Sequence, residues 1–261
     1  STEVSDLNTA RLQLAGAGDS NTSALAFGGS PSFTGKTELW SGSSWAEQAD
    51  LAVGRRKLAG DGTATLALAF GGEKPGDASE AEEWTGAGAS VGAWSTGGAM
   101  NVARDFHNGA GTQTSALVFG GLKPPGVTNE TESYNGSSWT EVADLNTARE
   151  DHGAAGASNT SALCIGGEPG SGKVDITESW DGSSWTEVGD LNTARSRGPG
   201  LGASNTAALA AGGATPSVTA NTEQWNGSAW TEMNNLNTAR SRMAPAGTYT
   251  AAIVFGGTPT A

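Results

Sequence analysis

One short phrase returns six times along this chain, and its spacing restricts the fold more than any other feature. The string NTAR at 8–11 recurs as VGRR at 53–56, NVAR at 101–104 and NTAR at 146–149, 192–195 and 237–240. A glycine pair follows each one, at 28–29, 71–72, 120–121, 166–167, 212–213 and 256–257. Successive pairs lie 43, 49, 46, 46 and 44 residues apart. A period of this size marks a supersecondary unit that buries its apolar surface only against its neighbours, so the 261 residues are expected to form one domain.

The unit at 146–191 shows what is repeated. After the polar turn ending at Arg149, residues 152–157 carry only small side chains beyond His152, and 158–160 form a second turn. The apolar run 161–165 stops at Gly166-Gly167 and reads as a short buried strand. A variable loop leads to Thr177-Glu178-Ser179-Trp180, the Asp181-Gly182 pair turns the chain, and residues 184–188 supply a last strand. Four short strands in about 45 residues make one antiparallel sheet. Side chains are smallest in the first strand and largest in the last two, which hold most of the nine tryptophans. That gradient suits sheets converging on an axis, as in a β-propeller.

In its order of elements the unit resembles the kelch repeat: an Arg, then a His or apolar residue three positions on, Gly-Gly after the second strand, an aromatic on the third and Trp on the fourth. The resemblance covers essentially the whole chain. Two departures stand out: Tyr134 takes the place of the first Trp in the third unit, and the second unit is expanded by five residues between Trp84 and Trp94. The wording of the repeats also resembles kelch-type repeats in structural proteins of marine bacteriophages. The fold expected is an all-β, six-bladed kelch-type propeller of four-stranded antiparallel blades, at about 8–51, 52–100, 101–145, 146–191, 192–236, and 237–261 plus 1–7. The last blade is to be closed by the N-terminal strand, because Ser1–Leu7 aligns with the fourth-strand segment 140–145. A three-stranded sixth blade, or an excerpt of a longer array, is the alternative.

Composition excludes some functions. A net charge of −13 disfavours nucleic-acid binding, which needs a basic face. No apolar run approaches the ~20 residues of a membrane span, so no membrane insertion is expected, and no signal peptide is visible at the N-terminus. Cys164 is the only cysteine and reads as a small buried residue. The copper-radical oxidases built on kelch propellers would need two His, two Tyr and a Cys. His107, His152, Tyr134, Tyr249 and Cys164 match that count, but their positions are those of core and blade-packing residues. No cofactor, no metal and no catalytic residue is expected.

The repeating arginines Arg11, Arg55, Arg104, Arg149, Arg195 and Arg240 form one set, read as structural, each bonding carbonyls or a Glu of the neighbouring blade. Two rows of glutamates recur as well: Glu38, Glu132, Glu178 and Glu223 on the third strand, and Glu47, Glu141, Glu187 and Glu232 on the fourth. Residues that break the repetition lie in the loops after Gly-Gly and in the segments just after each Arg, which strand order puts on one face. From these, Lys57, Phe106, Asp105, Glu150, Asp151, Arg197, Arg242, Phe33, Lys74, Lys123 and Lys173 are the candidates for a ligand or partner face. The expected function is a non-enzymatic binding or structural module of the virion or tail-fibre type, presenting this face to a surface glycan, a protein or another virion component. A virion or extracellular setting is favoured. A tunnel-site enzyme (a hydrolase or a galactose-oxidase-like oxidase) and a purely structural decoration protein are the alternatives.

Overall fold

The structure, a computed structural model, describes residues 1–86 and 92–259. The expansion expected between Trp84 and Trp94 falls largely outside the described residues. Among those described there is no helix, and five four-stranded antiparallel sheets follow one another as the blades of a propeller. In each, the strands lie side by side in chain order, from the axis outward. The first blade comprises Ala15–Ser20, Ser23–Phe27, Thr37–Trp40 and Trp45–Glu47; the second, Ala59–Gly62, Leu66–Phe70, Ala81–Thr85 and Ala93–Thr96. The third has Asn108–Thr112, Ser115–Phe119, Thr131–Tyr134 and Trp139–Val142. The fourth has Gly153–Ser158, Ser161–Gly167, Val174–Trp180 and Trp185–Glu187, and the fifth Gly200–Ser204, Ala207–Ala211, Thr222–Trp225 and Trp230–Met233.

The sixth unit corrects the expectation of a blade closed by the N-terminus. It is a two-stranded hairpin, Ala244–Thr248 with Ala251–Phe255, and residues 1–7 form no strand. The physical reason is that the described residues supply no third strand to this unit, and without one an outer segment has no ladder to join. The ring of innermost strands still closes, since the hairpin's first strand packs against both Ala15–Ser20 and Gly200–Ser204.

What fastens one blade to the next is the repeating arginine, through two different groups. Its backbone carbonyl accepts the N–H of the second glycine of the preceding unit, as in Gly29 N–H to Arg55 O (2.8 Å), Gly72 to Arg104 (3.0 Å) and Gly121 to Arg149 (2.9 Å). The same bond from Gly257 to Arg11 (2.9 Å) completes the circle. Both glycines of each pair have positive φ, and a Cβ on Gly28 would stand 2.8 Å from the Arg55 carbonyl, so only glycine fits this joint.

The guanidinium turns back into its own blade. Arg11 donates to the Gly28 carbonyl (2.9 Å) and to Glu38 (2.8 Å), and the pattern recurs as Arg55–Glu82 (2.9 Å), Arg104–Glu132 (2.6 Å), Arg149–Glu178 and Arg195–Glu223. The partner is thus a third-strand Glu of the same blade, not of the neighbouring one. The second carboxylate oxygen accepts the N–H that opens the polar turn, from Asn8 (2.8 Å), Asn101 (2.7 Å), Asn146 (2.7 Å) and Asn192 (2.7 Å). Both charges are buried, yet each has its polar partners, which is the condition for burying an ion pair at all. The fourth-strand glutamates, by contrast, are exposed.

Apolar clusters fill the spaces between neighbours. Each pairs the second-strand leucine and the small inner residues of one unit with aromatics of the next, for example Leu117 and Phe119 with Trp180 and Trp185. Third-strand tryptophans also donate to the turn between the two inner strands, as Trp180 Nε1 does to Asn159 O (2.9 Å).

Replacing Glu178 by Gln keeps the volume but leaves the Arg149 charge buried without its carboxylate. It should cost about 3 kcal/mol or more in denaturant unfolding. Glu47→Gln, which breaks the exposed Lys36–Glu47 contact at 3.2 Å, should cost less than about 1 kcal/mol.

Candidate functional site

The residue after each repeating Arg bridges to the residue after Gly-Gly in its own blade, as Leu12 does with Ser30. The chain must then reverse direction within one residue to enter the inner strand. That residue takes the left-handed conformation in every unit: Gln13 (φ 56°), Lys57 (56°), Phe106 (49°), Asp151 (53°), Arg197 (61°) and Arg242 (57°). Glycine would adopt it without penalty, whereas a side chain there costs on the order of 1 kcal/mol.

These six residues form a collar around the axis. Five of the six N–H groups donate to the carbonyl of their counterpart one unit back: Gln13 to Arg242 (3.2 Å), Lys57 to Gln13 (2.8 Å), Asp151 to Phe106 (3.0 Å), Arg197 to Asp151 (2.7 Å) and Arg242 to Arg197 (2.8 Å). Side chains join the remaining pair, with Lys57 Nζ 4.0 Å above the Phe106 ring and 3.0 Å from Asp105. All six line an axial cavity of about 280 Å³ walled by the inner strands.

Charges are paired unevenly around the collar. Lys57 also meets Glu73 (2.7 Å), and Arg197 meets Asp151 (2.9 Å) and Glu168 (3.7 Å). Among the described residues Arg242 makes no ion pair, and its Nε is buried without a hydrogen-bond partner. Burial raises the carboxyls of Asp105, Glu150 and Asp151 above their ordinary range, and the contacts with Lys57 and Arg197 only partly offset it for Asp105 and Asp151.

Of the residues expected on a ligand face, Lys57, Phe106, Asp151, Arg197 and Arg242 therefore stand together at the axis. Asp105 lies behind them on Lys57, and Glu150 next to Asp151 in the chain has one buried oxygen without a partner. Phe33, Lys74, Lys123 and Lys173 stand away from the cavity. Phe33 lies under the Arg56 guanidinium at 5.1 Å, Lys74 pairs with Glu80 and Lys123 with Glu130 (2.5 Å), and Lys173 makes no ion pair among the described residues.

Two features of the lining are not ordinary scaffold. His107 and His152 are buried, with Nε2 at 3.2 Å from the Phe70 carbonyl and 3.0 Å from the Phe119 carbonyl of the preceding blade. Burial and the neighbouring Arg104 and Arg149 push them down to about 3 and about 4, so both are neutral struts between blades. Asp61 is the other. It occupies the inner-strand position that Ala17, Ala110, Ala155, Leu201 and Ala246 hold in the other units. It is 8% exposed and its Oδ2 has no hydrogen-bond partner. Gly109 makes room for it, since a Cβ there would stand 2.9 Å from that oxygen. Burial alone pushes Asp61 up to about 8. Sequence reasoning passed over it, although one acid breaking a row of small apolar residues was a visible signal.

The remaining residues of the oxidase-like set are dispersed. The Tyr134 hydroxyl donates to Glu83 (2.7 Å), and the Cys164 thiol is buried within the fourth blade and pushed up to about 12. Among the described residues no group of three or more His, Cys, Asp or Glu is placed to hold a metal.

No protein-family model matches the chain, and no curated protein matches it. Solved structures do. That of YjhT superimposes with a TM-score of 0.80 at 12% identity, over 98% of this chain and 93% of the other. At that identity the likeness speaks for the propeller fold alone.

Asp61 yields a signed pH effect. Between the ordinary carboxyl value of 3.8 and about 8, the folded state holds a proton that the unfolded chain has released, so this group's contribution falls as pH rises across that window. Asp61→Ala should therefore be more stable than the parent at pH 8 by about 3 kcal/mol or more, and the gap should close towards pH 4. A gap that is the same at both pH values would contradict the assignment.

Proposed function

We propose that this chain is a non-enzymatic binding module on a kelch-type propeller, with the collar around its axis as the ligand face. One observation carries the reading: six equivalent positions are held left-handed around a cavity mouth, where glycine would be cheapest, and all six keep side chains. The scaffold is constant at these positions in backbone and divergent in chemistry, which is how a rigid frame presents a specific surface. Gln13 and Arg242 supply N–H donors that no carboxylate takes up among the described residues, so the collar suits an oxygen-rich ligand such as the end of a surface glycan. The phage-like wording of the repeats supports a virion or extracellular setting for such a module.

A tunnel-site hydrolase is the second reading, and Asp61 is what favours it, because burial keeps it protonated near neutrality as a general acid must be. Glycoside hydrolysis also requires a second carboxyl beside the first, and no other charge influences Asp61. The binding reading is the stronger of the two.

Glycan-array screening of the parent chain should return a defined glycan class. Arg242→Ala and Phe106→Ala should each weaken its binding about tenfold or more while the melting temperature holds within a few degrees. Absence of any glycan binding, or binding unaffected by both substitutions, would overturn the reading. Stoichiometric copper in the purified protein would also do so.

A further inference from the structure

One side chain in the wall of the axial cavity gives the fold nothing, and it is an acid. We propose that Asp61 and the main-chain carbonyls beside it form an ammonium subsite in this cavity, which takes the primary amino group of a slim ligand. The subsite lies apart from the collar and does not depend on the collar being a glycan face.

Position comes first. The inner strands wall the cavity along its length, from the collar residues at one end to Thr63, Thr112 and Thr248 at the other. Asp61 stands in this wall, on the order of 10 Å along its strand from the collar residue Lys57.

Neither oxygen of its carboxyl has a hydrogen-bond partner among the described residues. Oδ2 is fully occluded, whereas Oδ1 is not, which makes Oδ1 the oxygen open to the cavity. A polar group buried without a partner is destabilising, and alanine or leucine serves at the equivalent position of every other unit. The acid is therefore a feature the scaffold does not need.

The protein brings no cation to it. The strands packed against Ala59–Gly62 are Ala15–Ser20, Leu66–Phe70 and Asn108–Thr112, and the only titratable residue they contain is Asp19. No charge influences Asp61, and burial alone pushes it up to about 8. The cations Lys57 and Arg197 at the cavity mouth are taken by Asp105 and Asp151.

The backbone supplies the other half of the subsite. Each inner strand is hydrogen-bonded on one side only, as Ala59–Gly62 is to Leu66–Phe70, so its free edge turns peptide groups towards the axis. A primary ammonium has three N–H donors and no acceptor. Asp61 Oδ1 accepts one of them and carbonyls of the free edges accept the others. A metal ion is less well served, because among the described residues no three His, Cys, Asp or Glu converge. Ala15, Ala17, Ala155 and Leu201 give the alkyl stem an apolar wall, and the volume of about 280 Å³ admits a stem of a few carbons.

The ammonium enters charged, and the carboxyl releases its proton to the buffer to form the ion pair. One proton is thus released for each amine bound at a pH well below about 8. Affinity rises with pH through that range and levels off above it.

The test uses the intact chain and n-butylamine, with 1-butanol and tetramethylammonium for comparison. Calorimetry in two buffers that lack primary amines and differ in ionisation enthalpy counts the protons. One n-butylamine should bind per chain with release of about one proton at pH 6.5, and about tenfold more tightly at pH 7.5. The alcohol, which has no charge, and tetramethylammonium, which has no N–H, should each bind about tenfold or more weakly. Asp61→Asn and Asp61→Ala should both lose the proton release and the preference for the amine. No binding of n-butylamine, equal affinity for the three probes, or a preference kept by both variants would overturn the proposal. No glycan is present, so each of these results leaves the collar reading where it stands.

Discussion

The arginine that begins each unit is the node on which the rest of the structure depends. Blades of a propeller meet through side chains, so the ladders within each sheet do nothing to join one sheet to the next. This arginine supplies the missing connection with two groups facing opposite ways. Its carbonyl takes the N–H of the glycine that ends the preceding unit, and its guanidinium ties the glycine and the third-strand Glu of its own. A buried ion pair is seldom stabilising by itself. Here the second oxygen of the Glu also caps the turn that precedes the Arg, so nothing at the node is left unsatisfied except the arginine Nε atoms. The node then fixes register: strand three, the turn and the glycine pair must all be in place together.

Once the node is set, the chain has a single residue in which to turn into the inner strand, and the left-handed collar follows. The collar bonds and the Gly-to-Arg bonds run in parallel circles about the axis. The backbone at the mouth is thereby rigid whatever side chains it carries, which frees those side chains to differ. The same logic makes Asp61 conspicuous, because the inner strand tolerates a carboxyl only by keeping it protonated. It also makes the sixth unit conspicuous, because no Glu meets Arg240 there among the described residues.

Much of this was legible in the sequence. Glycine pairs marked the ends of second strands, tryptophans marked the outer strands, and departures from the repeat just after each Arg pointed to five of the six collar residues. Gln13 was within reach but carried no charge or ring to draw attention. The two glutamate rows were indistinguishable by recurrence, since period alone does not say which face of a strand is covered. One row is buried on arginine and the other is exposed. The Arg partner was placed in the neighbouring blade because spacing along the chain gives no distance across a sheet. Closure of a sixth blade was inferred from similarity between residues 1–7 and a fourth strand. A strand needs a ladder, however, and the described residues hold no third strand that would provide it. The dihedral angle of the collar has almost no sequence signature, because Gln, Lys, Phe and Arg rarely take a positive φ and only Asp151 is of a type enriched there.

The central claim is that a blade is held by its node and third strand together, and that the sixth unit, where the described residues supply neither the Glu nor the third strand, is the weak point of the ring. Native-state amide hydrogen exchange tests it most directly. The account predicts that Ala251–Phe255 opens at a free energy well below that of Ser23–Phe27, Leu66–Phe70, Ser115–Phe119, Ser161–Gly167 and Ala207–Ala211, which should exchange close to global unfolding. Equal protection of all six second strands would contradict it.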